Sequence, residues 1–347
     1  MTGDEGPAAA ERWKAARGPL AWPWLGARWA WAWARLMFRF LIGPRTDIVI
    51  VGYPGHVDVL LASLLTRRPV VLNALLSLHD TVVNDRKLLA ERSLGARILH
   101  ALDRLACRVA DLVLLDTQAH IDYFRAEFGL PAERFYRVWV GSVREGRLVA
   151  PRASGTPHRA LFVGTFIPLH GVGAILDAAT RLEQSDTRVT VRLIGRGQEL
   201  AAIAERIRQS RLSGVELVDS WIRGEDYERE LAEADICLGI FGATAKAQRV
   251  IPSKVYDALA AGRPIITADT PAIRELLTHG QDAWLCPAHD GAALAEAILT
   301  LARDETLRGC LARGARRTYE TRCSPEVIGR DVVARLEGLV REKGVIR

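Results

Sequence analysis

The stretch Arg249–Asp269, RVIPSKVYDALAAGRPIITAD, decides the fold. Pro252 stops the segment before it. Ser253 reads as the N-cap of a short helix, Lys254 to Ala261, which Gly262 ends. The run PIITAD that follows reads as a buried strand. A helix start carries unpaired N–H groups and about half a positive charge, which suits an anion. Lys254 in the first turn adds a full charge. Asp257 lies one turn further along the same face, because positions three and four apart are neighbours on a helix. A cation for a phosphate and a carboxylate for ribose hydroxyls is what a nucleotide needs. An amphipathic helix with solvated charges explains the same residues equally well.

Working outward, the alternation repeats. Before the stretch come ALFVGTF (strand), GVGAILDAATRL (helix), VTVRLIGRG (strand), ELAAIAERIRQSRL (helix), GVELVDSW (strand) and DICLGIF (strand). After it come DAWLCPAHD and Ala/Leu-rich helices. Further upstream, DIVIVG, PVVLNA, ADLVLLDT and RFYRVWVG are apolar runs separated by helical segments. Continuous β-branched runs alternating with helices predict α/β architecture with parallel sheets covered on both faces. The Pro/Gly/Ser-rich PRASGTPHR, 151–159, reads as a linker between two such domains. Expected boundaries are a Trp/Arg-rich segment at 1–45, an N-terminal Rossmann-like domain at 46–150, a C-terminal one at 151–325, and a last helix at 326–347 that crosses back to the first domain. Two doubly wound domains then face each other across a cleft, with ligands at strand carboxyl ends.

The totals fit this. The chain has 347 residues, 49% hydrophobic and 25% charged, with a formal net charge of +6. That is a folded protein long enough for two cores. The modest positive balance is compatible with anionic ligands or acidic membrane surfaces. It is spread along the chain without a recognition motif, so a nucleic-acid role has little support. The five cysteines are scattered, with no CxxC pair and no His at ligand spacing, so no metal site is expected and a reducing cytoplasm fits.

Residues 1–45 stand apart. AWPWLGARWAWAWARLMFRFLIG holds five of the nine tryptophans. Arginines interrupt it, so it is not a spanning helix, which needs about 20 apolar residues. At about 100° per residue, Arg28, Arg35 and Arg39 share one narrow helix face. Residues 20–42 therefore read either as a helix lying in a membrane interface or as one packed on the sheet that follows.

Other strand ends offer chemistry. In FVGTFIPLHG, Gly164 ends a strand and Gly171 opens a helix; Thr165 and His170 lie between them, and His170 is placed to donate a hydrogen bond to a phosphate. Gly195 and Gly197 follow another strand in LIGRG, a weak signal alone. GYPGHVD and SLHDT place His56, Asp58, His79 and Asp80 after N-terminal-domain strands as candidates to bind an acceptor hydroxyl; turn and cap roles explain them equally well. Walker A, HExxH and GxSxG patterns are absent.

Taken in order, FVG…G, LIGRG, ADICLGIF, PSKVYDALAAGRPIIT, TPAIRELL and GQDAWLCPAHD resemble the retaining glycosyltransferases of family 4, with the GT-B fold. SLHDT and ADLVLLDT match more weakly, and the resemblance covers about residues 46–325. It implies transfer of a sugar from a UDP- or GDP-sugar donor to a hydroxyl of a glycan or lipid-linked acceptor, with retention and without cofactor or bound metal. Such a role belongs to cell-envelope or polysaccharide synthesis, in the cytoplasm and peripherally at the inner membrane face.

By position, Lys254 matches a residue near the donor phosphates, with Ser253 and Val255 beside it. Asp257 matches the ribose-binding acid, and Gly164 the glycine before the diphosphate loop. Lys254, His79 and Asp80 stand as catalytic candidates. Gly164, Thr165, His170, Gly171, Gly195, Arg249, Ser253, Val255 and Asp257 stand as donor-binding ones. The chain departs from the pattern at Thr165 and His170, where the family often has arginine and lysine. It departs again at Arg249, where a donor-contacting glutamate is usual; an arginine there suits a diphosphate or a donor carboxylate. The family's usual first strand and glycine loop are not legible, so either the first domain is abridged or the chain starts differently from its relatives. The departures also leave open a degenerate GT-B protein that binds donor without catalysis.

Overall fold

The computed structural model describes residues 21–44, 46–143 and 158–344. The chain divides into a unit Met1–Asp47 and a unit Ile48–Arg347. In the first, α1 (Ala21–Ile42) is a single helix of 22 residues. Along it Trp31, Leu36, Phe38, Leu41 and Ile42 are exposed, as are Arg28, Arg35 and Arg39. Among the described residues no helix is long and apolar enough to cross a membrane.

The second unit holds two parallel sheets. The first has four strands, β1 (Val49–Val51), β2 (Val70–Asn73), β3 (Leu112–Leu115) and β4 (Phe135–Arg137), in that spatial order. Helices α2 (His56–Leu65), α3 (Leu94–Val109) and α4 (Gln118–Phe128) connect them. The strand order never reverses, so this sheet has no switch point of its own, unlike the doubly wound sheet expected. Its period of two divides the side chains cleanly. Val70, Leu72, Val113 and Leu115 pack under α2, α3 and α4 with Val59, Cys107 and Phe124. Val71, Leu112 and Leu114 point to the other face and meet Leu336 and Leu339.

Those two leucines belong to the last helix of the chain, named α12 in the numbering completed below. It spans Pro325–Glu342 and starts at Ser324, whose side chain accepts from Val327 N. Tyr136 Oη donates to Asp331 at 2.8 Å, and Lys343 Nζ lies 2.7 Å from Asp111. The chain's C-terminal helix thus covers the open face of the first sheet.

The second sheet has six strands: β5 (His158–Val163), β6 (Val189–Ile194), β7 (Val215–Val218), β8 (Ile236–Leu238), β9 (Ile265–Ala268) and β10 (Trp284–Cys286). Their order is β10-β9-β8-β5-β6-β7. The chain runs outward from β5 to β7, then returns to lay β8 on the other side of β5, pairing Ala160 with Ile236 and Leu161 with Cys237. That reversal is the switch point of a doubly wound sheet. Helices α5 (Val172–Leu182), α6 (Leu200–Gln209), α7 (Gly224–Glu233), α8 (Ser253–Ala260), α9 (Pro271–Arg274), α10 (Gly291–Arg303) and α11 (Glu305–Thr318) cover its two faces in two apolar clusters. The linker expected at 151–159 lies outside the described residues except for His158 and Arg159, which open β5.

Leu339 is buried against the first sheet, so Leu339→Ala removes its contacts with Val71, Leu112 and Leu114. We expect a loss of about 2–4 kcal/mol, read as a lower urea midpoint; an unchanged midpoint would show that α12 does not hold the sheet.

Candidate functional site at the switch point

Strand ends crowd together where the second sheet reverses. Gly195 has φ +153°, and a Cβ there would sit 1.8 Å from Gly164 O. Gly171, at φ +63°, would put one 2.4 Å from the backbone of Phe241 and Gly242. These glycines let the β5, β6 and β8 ends touch backbone to backbone.

Helix α8 delivers a lysine to this place. Its other side chains leave no choice: Val255, Tyr256, Ala258 and Leu259 are all in the core. Lys254 turns toward β5, with Nζ 3.7 Å from the centre of the Phe162 ring and 2.5 Å from where a Cβ on Gly164 would lie. The ammonium is buried and has no hydrogen-bond partner among the described residues. Burial holds it well below the usual lysine range.

His170 stands on the other side of the same gap, its Cε1 3.3 Å from that Gly164 position. It is buried, with its ring edge-on to Phe162 and Nδ1 on the carbonyl of Thr165. Burial first, and the Lys254 charge next, push its imidazole well below the ordinary range. The neutral ring therefore carries its proton on Nδ1, given to Thr165 O, and Nε2 is an acceptor. The expected hydrogen bond from His170 to a phosphate requires a second proton, which an incoming anion would favour.

The other sequence candidates separate. Ser253 is the first helical residue rather than the cap; Pro252 occupies the N-cap position, and no side chain caps the helix. Val255 is fully buried and its N–H donates to Pro252 O at 2.9 Å, so it is a core residue. Asp257 accepts from Ser142 Oγ at 2.6 Å and from Tyr227 Oη at 3.1 Å, which ties α8 to the chain after β4 and to α7.

Arg249 does not face the Lys254 gap as an open anion site. Its Nη2 donates to Asp80 at 2.9 Å, its guanidinium lies 3.8 Å over the Tyr123 ring, and its carbonyl accepts from Thr117 Oγ1 at 2.5 Å. Asp80 is buried as well, and its second oxygen accepts from Asn84 at 3.0 Å. The pair expected to serve donor and acceptor separately is thus an ion pair between the two sheet domains. A second one stands next to it: Lys246 Nζ reaches Thr81 Oγ1 at 3.0 Å and Asp85 at 3.2 Å, both on the π-helical turn Asp80–Asp85. Glu275 completes the seam. Its carboxylate accepts from the Gln118 and Ala119 N–H groups at 2.7 and 2.8 Å, capping the N-terminus of α4.

Under the turn lies a residue the sequence reading missed. Asp103, fully buried on α3, accepts from Ser77 Oγ (2.6 Å), Leu78 N (3.1 Å) and His79 N (2.9 Å). His56 Nε2 is 3.0 Å from its other side. So the His56 ring and the His79 backbone N–H converge on one carboxylate, and His79 Nδ1 is buried without a partner among the described residues. The signal was present: Ala96, Asp103, Cys107 and Ala110 recur at helical spacing, an acid set in a stripe of small buried residues.

Two parallel-sheet α/β domains with this switch-point site define the GT-B fold. The solved structure of Anabaena HepE in complex with UDP matches with a TM-score of 0.64 at 17% identity, over 84% of this chain and 79% of that one. Residues 157–304 match the family described as "Glycosyl transferases group 1". Among curated relatives, the amylovoran biosynthesis glycosyltransferase AmsK of Erwinia amylovora is 28% identical over 213 residues, 61% of this chain and 52% of that protein. The phosphatidyl-myo-inositol mannosyltransferase of Mycobacterium leprae is 30% identical over 166 residues, 46% of this chain and 42% of that protein. The chain spans about half the length of the curated relatives it matches.

Because burial lowers the Lys254 pKa in the folded chain, the unfolded chain binds more protons in the window below the ordinary lysine value. The lysine's cost to stability is complete below its lowered pKa and fades as pH rises toward 10.5. Lys254→Met should therefore raise the melting temperature near pH 7 by roughly 3–6 °C, with the gap narrowing in alkaline buffer. A variant no more stable than the parent would show the ammonium is satisfied.

Proposed function

We propose that this chain transfers a sugar from a nucleotide-diphosphate donor to a hydroxyl acceptor in envelope or polysaccharide synthesis. The observation that carries the reading is the buried, unpartnered ammonium of Lys254 at the switch point. A buried cation without a counter-ion is costly, and an anionic ligand arriving there removes the cost. A Cβ on Gly164 would already lie 2.5 Å from Lys254 Nζ, so a diphosphate reaches the ammonium only if the lysine side chain swings outward, beside the N-terminus of α8. The glycosyltransferase relatives and the UDP-bound neighbour support a nucleotide-sugar donor; we take it as UDP- or GDP-linked.

In the reaction the bond from the anomeric carbon to the donor phosphate oxygen breaks, and the acceptor oxygen takes its place. Negative charge develops on the departing diphosphate. Lys254, and His170 once protonated, stabilise it in a site that excludes water, usually the largest catalytic contribution. We read the transfer as retaining. Asp80, the carboxylate nearest the acceptor side by sequence, is engaged by Arg249 and Asn84. That leaves the leaving phosphate to accept the acceptor's proton on the same face. No cofactor or metal enters this scheme, so a chelator should leave turnover unchanged.

A lipid-linked acceptor at the inner membrane face fits α1, which we read as lying in the interface through the exposed Trp31, Leu36, Phe38 and Leu41. Vesicles with brominated acyl chains should then quench the chain's tryptophan fluorescence; unquenched emission would count against it.

One observation favours a second reading, donor binding without catalysis. Arg249 and Asp257, given to donor sugar and ribose by position, are both engaged within the protein. A panel of UDP- and GDP-sugars separates the two, since the rival predicts binding without release of nucleoside diphosphate. For the active reading, Lys254→Met should lower kcat about 10²-fold, and proton NMR of the product should show the donor's anomeric configuration. Near-normal turnover would remove Lys254 from the mechanism, and an inverted product would require a base elsewhere.

A further inference from the structure

The loop at 165–170, read above as the diphosphate side of the gap, is short of charge. Lys254 is one cation, His170 is held neutral, and Thr165 adds none. Arg249 is engaged by Asp80, and Arg196, after β6, pairs with Asp219 at 2.6 Å. A terminal phosphate alone carries about two negative charges near neutral pH, more than one ammonium cancels. The first sheet domain leans on this loop. Leu76, just after β2, packs on Ile167 and Leu169 inside it. Further on, Arg86 closes the π-helical turn Asp80–Asp85, its N–H donating to Thr81 O at 3.0 Å.

Arg86 has charge to spare. Among the described residues its one carboxylate contact is Asp85, with Nε 3.9 Å from Oδ2, beyond hydrogen-bond reach. Lys246 already holds that carboxylate at 3.2 Å. Asp85 and Lys246 are buried and cancel each other, whereas the Arg86 side chain is 43% exposed. Its charge is felt at two strand ends. Tyr53, after β1, has its hydroxyl pushed up by burial and by Asp103, and drawn back by Arg86. His170 is depressed by burial and by Lys254, opposed by its bond to Thr165, and depressed further by Arg86. A group that acts on both stands between the end of β1 and the 165–170 loop. We infer that Arg86 is the second cation of the diphosphate site, supplied by the opposite domain, and that it contacts the phosphate bearing the sugar. The choice of phosphate follows from direction: a group reaching in from the acceptor side meets the sugar-bearing phosphate before the nucleoside-bearing one. The inference rests on the donor reading above. A guanidinium offers parallel N–H donors that match phosphate oxygens, far better than its long contact with Asp85. Charge on the leaving group then develops between Lys254 and Arg86, one from each sheet domain. Arg86 thus returns from across the seam charge that Thr165 and His170 leave out of the loop, where the resembled family often has arginine and lysine.

The test is calorimetric titration of the full chain with UDP, UMP, GDP and GMP. The parent is compared with Arg86→Gln, Arg86→Lys, Lys254→Met and, as a control for surface charge, Arg92→Gln. Arg86 and Arg92 are both exposed, and the melting temperature checks that each variant folds. A hydrogen bond to a charged group is worth about 10- to 100-fold in affinity. Arg86→Gln should therefore weaken the nucleoside diphosphate by about that factor and leave the matching monophosphate unchanged. Arg86→Lys should recover part of the loss, and Arg92→Gln should change neither ligand. A loss shared equally by monophosphate and diphosphate gives Arg86 a structural role and overturns the proposal. Diphosphate binding that Lys254→Met weakens and Arg86→Gln leaves intact also overturns it, while the donor reading stands. A parent that binds neither UDP nor GDP removes both.

Discussion

The reversal of strand order between β5 and β8 is the constraint on which the site depends. Two parallel neighbours far apart in sequence must part at their carboxyl ends, because their connections leave in opposite directions. Glycines at 164, 171 and 195 let the backbones close over that parting. Helix α8 packs Val255, Tyr256, Ala258 and Leu259 into the core and turns its lysine into the gap. Among the described residues the ammonium has no counter-ion, and it stands next to an imidazole kept neutral by burial and by that same charge. Such a site is destabilising when empty and stabilised by an anion, which is how a fold stores binding energy for one kind of ligand.

A second group of charges spends its interactions inside the protein. Across the seam between the two sheet domains, Lys246 with Asp85 is a buried pair and Arg249, partly buried, meets the buried Asp80. Desolvation offsets much of the attraction in such pairs, so their contribution to net stability is small. Their effect is on register: a buried charge left unpaired is costly, so any other seating of the two domains is disfavoured. Glu275 on the α4 N-terminus and Thr117 on the Arg249 carbonyl act in the same sense. Asp103 supports the arrangement from below by fixing the backbone of the turn that carries Asp80.

Much of this was legible in the sequence. The alternation of apolar runs with helical ones marks the strands, because parallel strands covered on both faces have no polar side to show. The helix of Lys254 and its ending at Gly262 were readable from local chemistry, as were strand ends at Gly164 and Gly195. Reading failed where a side chain has two equally local futures. Arg249 looked like an anion ligand, yet its partner lies 169 positions away in the chain. Val255 lies beside Lys254 in sequence but points to the core. Asp103 hid among arginines and leucines, visible only as an acid on a buried stripe.

The sequence by itself determined the elements, their parallel pairing class and the clustering of charge around one short helix, since these follow from periodicity and from Gly and Pro chemistry acting over a few residues. Only the tertiary structure decided which charges remain available. Whether Lys254, Arg249 or Asp257 faces a ligand depends on what the fold brings opposite to it: a Phe162 ring and no anion, an Asp80 carboxylate, or the Ser142 and Tyr227 hydroxyls. Those partners come from distant parts of the chain, and local sequence carries no record of distances that chain closure alone sets.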